Sequence, residues 1–102
     1  MAHDDLLTGL VQLHVLHHAA REEIFGLGML AELRRHGYRI GPSTLYPMLR
    51  RMCERGYLRV REAPDGRTRR RMYRATPKGR RALVAVRDHV RELFGELVEE
   101  GR

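Results

Sequence analysis

The chain has 102 residues and a formal net charge of +7. This length fits one domain, and a core of that size leaves much of the surface exposed, so a second subunit would help to stabilise it. The chain starts without the layout of a signal peptide, no apolar run approaches the ~20 residues of a membrane span, and Cys53 has no second cysteine to pair with. These features predict a cytoplasmic protein.

The positive charge is concentrated in one part of the chain. Residues 50–81 carry 13 of the 20 basic side chains and a net charge of +10, whereas the rest of the chain carries −3. Every basic residue except Lys78 is arginine, whose planar guanidinium binds phosphate or the edge of guanine through two hydrogen bonds. A GC-rich genome is an alternative reason for choosing arginine over lysine, but not for the clustering. The clustering favours a polyanionic partner such as nucleic acid.

Hydrophobic periodicity predicts a first helix over residues 5–19. Leu6, Leu10 and Leu13 recur at helical spacing, and Asp5 is a candidate N-cap. The apolar residues of this segment cover more than one face. We therefore expect the helix to pack both against its own domain and against a second subunit.

Two further helices are predicted before the middle of the chain. The second extends over residues 25–36 and ends at Gly37. The third extends over residues 43–55, with Ser43 or Thr44 as its candidate N-cap. A tight turn separates the two helices, which is the arrangement of a helix-turn-helix unit.

Residues 57–75 have the pattern of a β-hairpin. Leu58 and Val60 alternate with arginines, residues 72–75 form a second segment of strand character, and residues 63–66 supply the turn. The hairpin is basic at its tip and along its returning strand, where it carries Arg67, Arg69, Arg70 and Arg71.

A long final helix is predicted from Pro77, with Thr76 as its N-cap. Its apolar residues step by three and four, which is typical of a seam between two helices. They are Leu83, Val86, Val90, Leu93, Phe94 and Leu97. The predicted organisation is a winged helix-turn-helix domain over residues 1–76, and a C-terminal dimerisation helix over residues 77–102 that packs in the same domain.

The predicted fold class is mainly α with a small β-hairpin, and this order of elements suits DNA binding. The second helix of such a pair fits the major groove, and the hairpin forms a wing beside it. Arginines on a wing can follow phosphates or enter the minor groove. The predicted DNA contacts are Ser43, Thr44, Tyr46, Arg50 and Arg51 on the third helix, and Arg67, Arg69, Arg70 and Arg71 on the wing.

Three sequence blocks are similar to the PadR family of transcriptional regulators. Pro-Ser-Thr-Leu-Tyr-Pro-Met-Leu-Arg-Arg-Met at residues 42–52 and Glu-Arg-Gly-Tyr-Leu at residues 54–58 resemble its recognition helix and first wing strand. Gly66-Arg67 and residues 71–83 resemble its wing and the start of its C-terminal helix. The chain departs from the family at residues 25–27, where Phe-Gly-Leu replaces the common His-Gly-Tyr, so no role is carried onto the neighbours of this glycine.

The resemblance implies a homodimer that binds an inverted-repeat operator, usually as a repressor. It also implies that the C-terminal helix packs on the partner's first helix, and that the chain belongs to the compact subgroup with a single C-terminal helix. An unidentified small-molecule effector at the dimer interface would release the DNA, although the chain lacks the tryptophan that some relatives use to stack on drugs. The predicted interface comprises Leu6, Leu10 and Leu13 with Leu83, Val86, Val90, Leu93, Phe94 and Leu97.

Single residues leave alternative functions open. His14, His17 and His18 share the first helix, and the i, i+4 spacing of His14 and His18 suits a metal ion, which gives a metal-responsive regulator as one alternative to ordinary surface histidines. Arginines around Cys53 would lower the pKa of a reactive thiol, although a structural cysteine is favoured. A protein-interaction module is a further alternative.

Catalysis is not predicted, and no cofactor is expected. The serine and cysteine side chains lack an identifiable base at motif spacing, and the sequence contains no glycine-rich phosphate loop or carboxylate pair. Single-stranded RNA is disfavoured because aromatic residues are scarce.

Overall fold

Four α-helices and a three-stranded antiparallel sheet form the part of the chain that the computed structural model describes, which is residues 4–99. The predicted mainly helical fold with a small sheet is confirmed. In chain order the elements are α1 (Asp4–Arg21), β1 (Ile24–Phe25), α2 (Gly26–Arg35), α3 (Pro42–Glu54), β2 (Leu58–Asp65), β3 (Thr68–Ala75), α4 (Pro77–Phe94) and a π-helical turn (Gly95–Glu99). The predicted domain ends at residues 1–3 and 100–102 lie outside the described residues.

The sheet has one strand more than the sequence predicted. Its order is β1-β3-β2, so the short strand β1 pairs with the returning strand of the hairpin, with Ile24 opposite Tyr73 and Phe25 opposite Met72. Phe25 therefore belongs to a strand, and α2 begins one residue later at Gly26. A strand of two residues is too short to show the alternation that identifies strands in a sequence.

Two predicted helix caps are wrong. α3 begins at Pro42 with Gly41 as its N-cap, and no side chain caps it, so Ser43 and Thr44 lie inside its first turn. Proline is favoured at the first helical position because its missing N–H is not needed there. α1 begins at Asp4, so Asp5 also lies inside the helix rather than at its cap.

The predicted cap of α4 is confirmed. Thr76 Oγ1 accepts a hydrogen bond from the backbone N–H of Gly79 at 3.0 Å and donates one to the carbonyl oxygen of Gly56 at 2.5 Å. One hydroxyl thus stabilises the start of α4 and connects it to the turn after α3. Gly79 lies so close to Tyr57 that an added Cβ would overlap the carbonyl oxygen of Tyr57. The first turn of α4 is therefore fixed against the beginning of the wing.

The hydrophobic core lies where α1, α2 and α3 meet the sheet. Val15, Leu33, Leu45, Leu49 and Leu58 are each at most 2% exposed. Burial of one such side chain stabilises the fold by about 1.5–3 kcal/mol relative to leaving it in water. The core thus fixes α3 against the sheet from which the wing extends.

α4 lies mostly outside this core. Gly79 is its one buried residue, and Leu83 and Val86 are half-buried. Val90 and Phe94, further along the helix, are 43% and 51% exposed.

Among residues 4–99, no helix is both long enough and apolar enough to cross a membrane.

Candidate nucleic-acid interface

A groove of about 540 Å³ lies between α3 and the wing. One wall comes from α3 and the opposite wall from β2 and β3, with the segment around β1 closing one end. The side chains that face each other across it include Tyr46, Pro47, Arg50 and Cys53 from α3, and Val60, Arg69, Arg71 and Tyr73 from the sheet.

The helical period of α3 separates a buried face from an exposed one. Leu45, Met48, Leu49 and Met52 are buried against the core. Ser43, Thr44, Tyr46 and Arg50 consequently face outward, and all four are exposed. The N-terminus of α3 also leaves backbone N–H groups and the positive end of the helix dipole at the surface, which attract anions such as phosphate.

Tyr46 is positioned by a glycine on the neighbouring helix. Its ring lies against Gly26, where an added Cβ would overlap Cε1 of the tyrosine. Gly26 is the one residue of its triplet that matches the family pattern, and the structure gives it a packing role. The sequence alone did not reveal this contact, because Gly26 and Tyr46 are 20 positions apart and belong to different helices.

The two adjacent arginines of α3 point to different surfaces. Arg50 lines the groove beside the wing. Arg51 lines a second groove, of about 270 Å³, which also contains Arg55, Leu13 and Val86. This second groove lies between α1, α3 and α4, so the structure does not bring Arg51 together with Arg50.

Strand alternation likewise separates the arginines of β3. Arg69 and Arg71 lie on the same face of the strand as Tyr73, because successive side chains of a strand point to opposite faces. Arg70 projects from the other face, where its guanidinium carbon lies 3.9 Å from the centroid of the Phe25 ring. Arg69 and Arg71 therefore share the face of Tyr73, whereas Arg70 packs on Phe25 of β1 and lines the groove from there.

Several wing arginines already have acidic partners. Arg69 Nε lies 2.9 Å from Glu62 Oε1, and a guanidinium nitrogen of Arg70 lies 3.2 Å from Asp65 Oδ2. Arg67, at the tip beside Gly66, has no ion pair or hydrogen bond from its side chain to residues 4–99. A phosphate would bind Arg67 directly but would have to displace a carboxylate from Arg69 or Arg70.

Cys53 lines the inner side of the same groove as a free, half-buried thiol. Burial raises the pKa of this thiol, and the nearby Arg71 only opposes that effect. This direction favours the structural cysteine over the reactive thiol. The residue acts as a packing group.

The predicted interface residues fall into two groups. Leu6, Leu10, Val90, Leu93, Phe94 and Leu97 are exposed. Leu13 and Val86 are half-buried in the groove between α1, α3 and α4 of the same chain, and Leu83 is half-buried against the core. The exposed group gives the protein an apolar surface that its own chain does not cover within residues 4–99.

A helix pair whose second helix exposes a polar face, followed directly by a basic hairpin, defines a winged helix-turn-helix protein. Comparison with known proteins identifies the family. The sequence model of the transcriptional regulator PadR-like family matches residues 15–85. The transcriptional regulator Rv3488 of Mycobacterium tuberculosis is 49% identical over 89 residues, covering 86% of this chain and 82% of the relative. The chain belongs to the PadR-like family of transcriptional regulators and is not an enzyme.

Solved structures agree with this assignment. A PadR family transcriptional regulator from Eggerthella lenta is 30% identical and has a TM-score of 0.77, with 97% of this chain and 95% of that chain covered. Bacillus subtilis PadR, solved in complex with operator DNA, has a TM-score of 0.69 at 18% identity, with 76% of this chain and 45% of that chain covered. At 18% identity, the similarity to the Bacillus subtilis structure shows a shared fold only.

Proposed function

We propose that the protein is a cytoplasmic, DNA-binding repressor that binds an inverted-repeat operator as a homodimer. The observation that carries this proposal is the groove between α3 and the wing, which Arg50 lines from one side and Arg69 and Arg71 from the other. The Bacillus subtilis protein that shares the fold was solved with operator DNA. Three arginines converging from two elements give a site for a polyanion rather than a scattered positive surface.

In the proposed complex α3 enters the major groove of the duplex. Ser43 and Thr44, in the first turn of α3, bind phosphate or base edges together with the helix N-terminus. Tyr46 and Arg50 face the bases, and arginine prefers the O6 and N7 acceptors of guanine. Arg67, at the wing tip, binds the phosphate backbone or the adjacent minor groove. Arg51 faces away from this groove and at most reaches the flanking backbone.

The proposed partner in the dimer is a second copy of the chain. The exposed apolar residues of α4 recur every three or four positions, and those of α1 are exposed as well. Packing α4 on α1 of the partner would cover both sets with the same contact made twice. The two α3 helices would then lie about one turn of DNA, roughly 34 Å, apart. A small molecule that binds between the subunits would change this spacing and release the DNA.

The decisive experiment measures binding to a duplex from the upstream region of the protein's own gene, by fluorescence anisotropy at several salt concentrations. We expect the logarithm of the affinity to fall by about 0.9 per decade of salt for every neutralised phosphate. Arg50→Ala should weaken specific binding by about 1–3 kcal/mol, because arginine at this position binds a base edge. Arg67→Ala should reduce the salt slope by about 1, because one phosphate is then no longer neutralised.

Arg91→Ala is the matched control. Arg91 is an exposed arginine of α4 that is paired with Asp88, so this variant removes the same charge away from the groove. We expect it to bind like the unmodified chain. Absence of duplex binding at low salt would contradict the proposal, as would equal weakening by Arg50→Ala and Arg91→Ala.

A further inference from the structure

Three histidines from two helices meet outside the groove between α3 and the wing. His14 and His18 lie one turn apart on α1, and His36 lies at the C-terminal end of α2. One nitrogen from each ring lies within 4.8 Å of the corresponding nitrogens of the other two. The His14 and His36 ring centroids are 5.3 Å apart. The sequence predicted only the pair on α1, and the fold supplies the third ring.

A carboxylate lies beside the three rings. Glu32 Oε2 is 3.0 Å from His36 Nε2 and 3.7 Å from His18 Nε2. Arg35 donates to both oxygens of this carboxylate, with Nε 3.2 Å from Oε1 and a second guanidinium nitrogen 2.8 Å from Oε2. The arrangement fixes one carboxylate oxygen toward the histidines, so that the cluster combines three imidazoles with one negative charge.

We propose that His14, His18 and His36 form a binding site for a divalent transition-metal cation such as Zn²⁺, with the Glu32 carboxylate at its edge. Imidazole nitrogens bind Zn²⁺ at about 2.0–2.1 Å, and three protein ligands leave the fourth tetrahedral position for a carboxylate or water. Ligand nitrogens around such an ion are about 3.4 Å apart. Small side-chain rotations would close the present spacing, since His14 and His18 are partly exposed and His36 is exposed.

The electrostatics of the cluster agree with its geometry. An imidazole binds a metal ion in its neutral form, and a carboxylate beside it adds a negative charge. The hydrogen bond from Arg35 contributes most to lowering the pKa of Glu32 to about 2, so this group is a carboxylate at neutral pH. A cation bound by the rings would be attracted by this carboxylate.

The position of the cluster determines what a bound ion would do to the fold. His14 and His18 belong to α1, whereas His36 precedes the turn that leads into α3. Tyr38, in that turn, packs edge-on to His14 with 5.3 Å between the ring centroids. An ion would therefore tie α1 to the start of the connection to α3. Because the ion binds only the folded arrangement, it should raise the thermal stability of the chain.

The test uses the full chain without a histidine tag. Bound metal is removed with EDTA, and the EDTA is then removed by dialysis. Isothermal titration with ZnCl₂ should give one ion per chain, and Zn²⁺ should raise the melting temperature by several degrees. Substitution of Co²⁺ should give the intense visible absorption of a tetrahedral complex. His14→Gln, His18→Gln and His36→Gln should each weaken Zn²⁺ binding more than about tenfold, and Glu32→Gln by about 10- to 100-fold.

Matched controls separate this site from other histidines. His17→Gln changes an exposed ring of α1 outside the cluster, His89→Gln changes an exposed ring of α4, and His3→Gln tests the N-terminal segment. All three should bind Zn²⁺ like the unmodified chain, and all variants should melt alike in EDTA. Absence of saturable Zn²⁺ binding would overturn the site, and so would a loss in the controls as large as that in the cluster variants. Neither outcome depends on DNA binding.

Discussion

At the scale of single residues, Gly26 determines how closely α2 approaches α3. The ring of Tyr46 occupies the space that any larger residue at position 26 would need. Tyr46 is 41% exposed, so one side of its ring packs on the glycine while the rest faces the groove. The glycine thus orients a proposed DNA contact without itself facing the DNA.

We predict that Gly26→Ala destabilises the protein by about 1–3 kcal/mol, the usual cost of forcing an extra carbon into a packed contact. Urea denaturation of both proteins measures the difference in the free energy of unfolding. In a Tyr46→Ala background the same substitution should cost little, because its obstacle has been removed. An equal cost in both backgrounds would show that the contact with Tyr46 is not the reason for the glycine.

At the scale of elements, the three-stranded sheet is held on its outer face by an ion pair that spans the central strand. Arg61 of β2 donates to both oxygens of Glu23, the residue before β1, at 2.7 Å each. β3 lies between these two strands. Because Arg61 alternates with Leu58 and Val60, its side chain lies on the face away from the groove, and Arg69 and Arg71 remain on the face of Tyr73.

This ion pair should make part of the stability depend on pH. The hydrogen bond from Arg61 lowers the pKa of Glu23 below its ordinary value, so its stabilising contribution is present above that ordinary value and is lost as the pH falls through the folded-state pKa. Glu23→Gln should therefore unfold at a lower denaturant concentration near about pH 7, and the difference should disappear well below about pH 4.

Denaturant midpoints measured at both pH values check this prediction. Glu22→Gln, which removes the same charge from the exposed neighbouring residue, should show much less of this dependence. The effect is modest because the arginine and glutamate side chains are 59% and 30% exposed and water screens them. If the denaturant midpoint of Glu23→Gln were lower by the same amount at every pH, the loss of stability would come from packing and not from the ion pair.

Sequence patterns were sufficient to predict helices and strands with a regular hydrophobic periodicity. They were insufficient to predict contacts between these elements. Helical spacing predicted α1 to α4, and alternation predicted the hairpin, because each pattern is repeated over several turns or residues. The strand β1 was missed since two residues carry no period. His36 was missed as the partner of His14 and His18 because only the fold brings the end of α2 beside α1.

The same distinction applies to the candidate site. Periodicity placed Tyr46 and Arg50 on the outer face of α3, but the different surfaces of Arg50 and Arg51 depend on where α4 and the wing lie. The alternation of side chains along a strand is enough to predict that Arg70 lies on the opposite face of β3 from Arg69 and Arg71. The ion pairs that occupy Arg69 and Arg70 required the hairpin register, which sets Pro64 opposite Arg69 and Ala63 opposite Arg70.

At the scale of the whole molecule, the chain is elongated because α4 extends beyond the core. It measures 54 × 31 × 20 Å with a radius of gyration of 14.8 Å. A compact chain of this length has a radius of gyration of about 13 Å. The distal half of α4 exposes apolar side chains at helical spacing, and exposure of such a surface in a small chain is costly unless a partner covers it. The proposed second copy supplies that cover.

We predict that Val90→Asp converts the proposed dimer into monomers, because a carboxylate placed at the centre of the α4 seam would be buried against apolar groups without a partner. Light scattering coupled to size exclusion should give twice the 11.9 kDa chain mass for the unmodified protein and the single chain mass for the variant. Ala85→Asp adds the same charge to an exposed position of α4 that lies off the seam, and should remain dimeric. Circular dichroism distinguishes a folded monomer from an unfolded one. If the variant kept the mass of the unmodified protein, α4 would not be part of the interface.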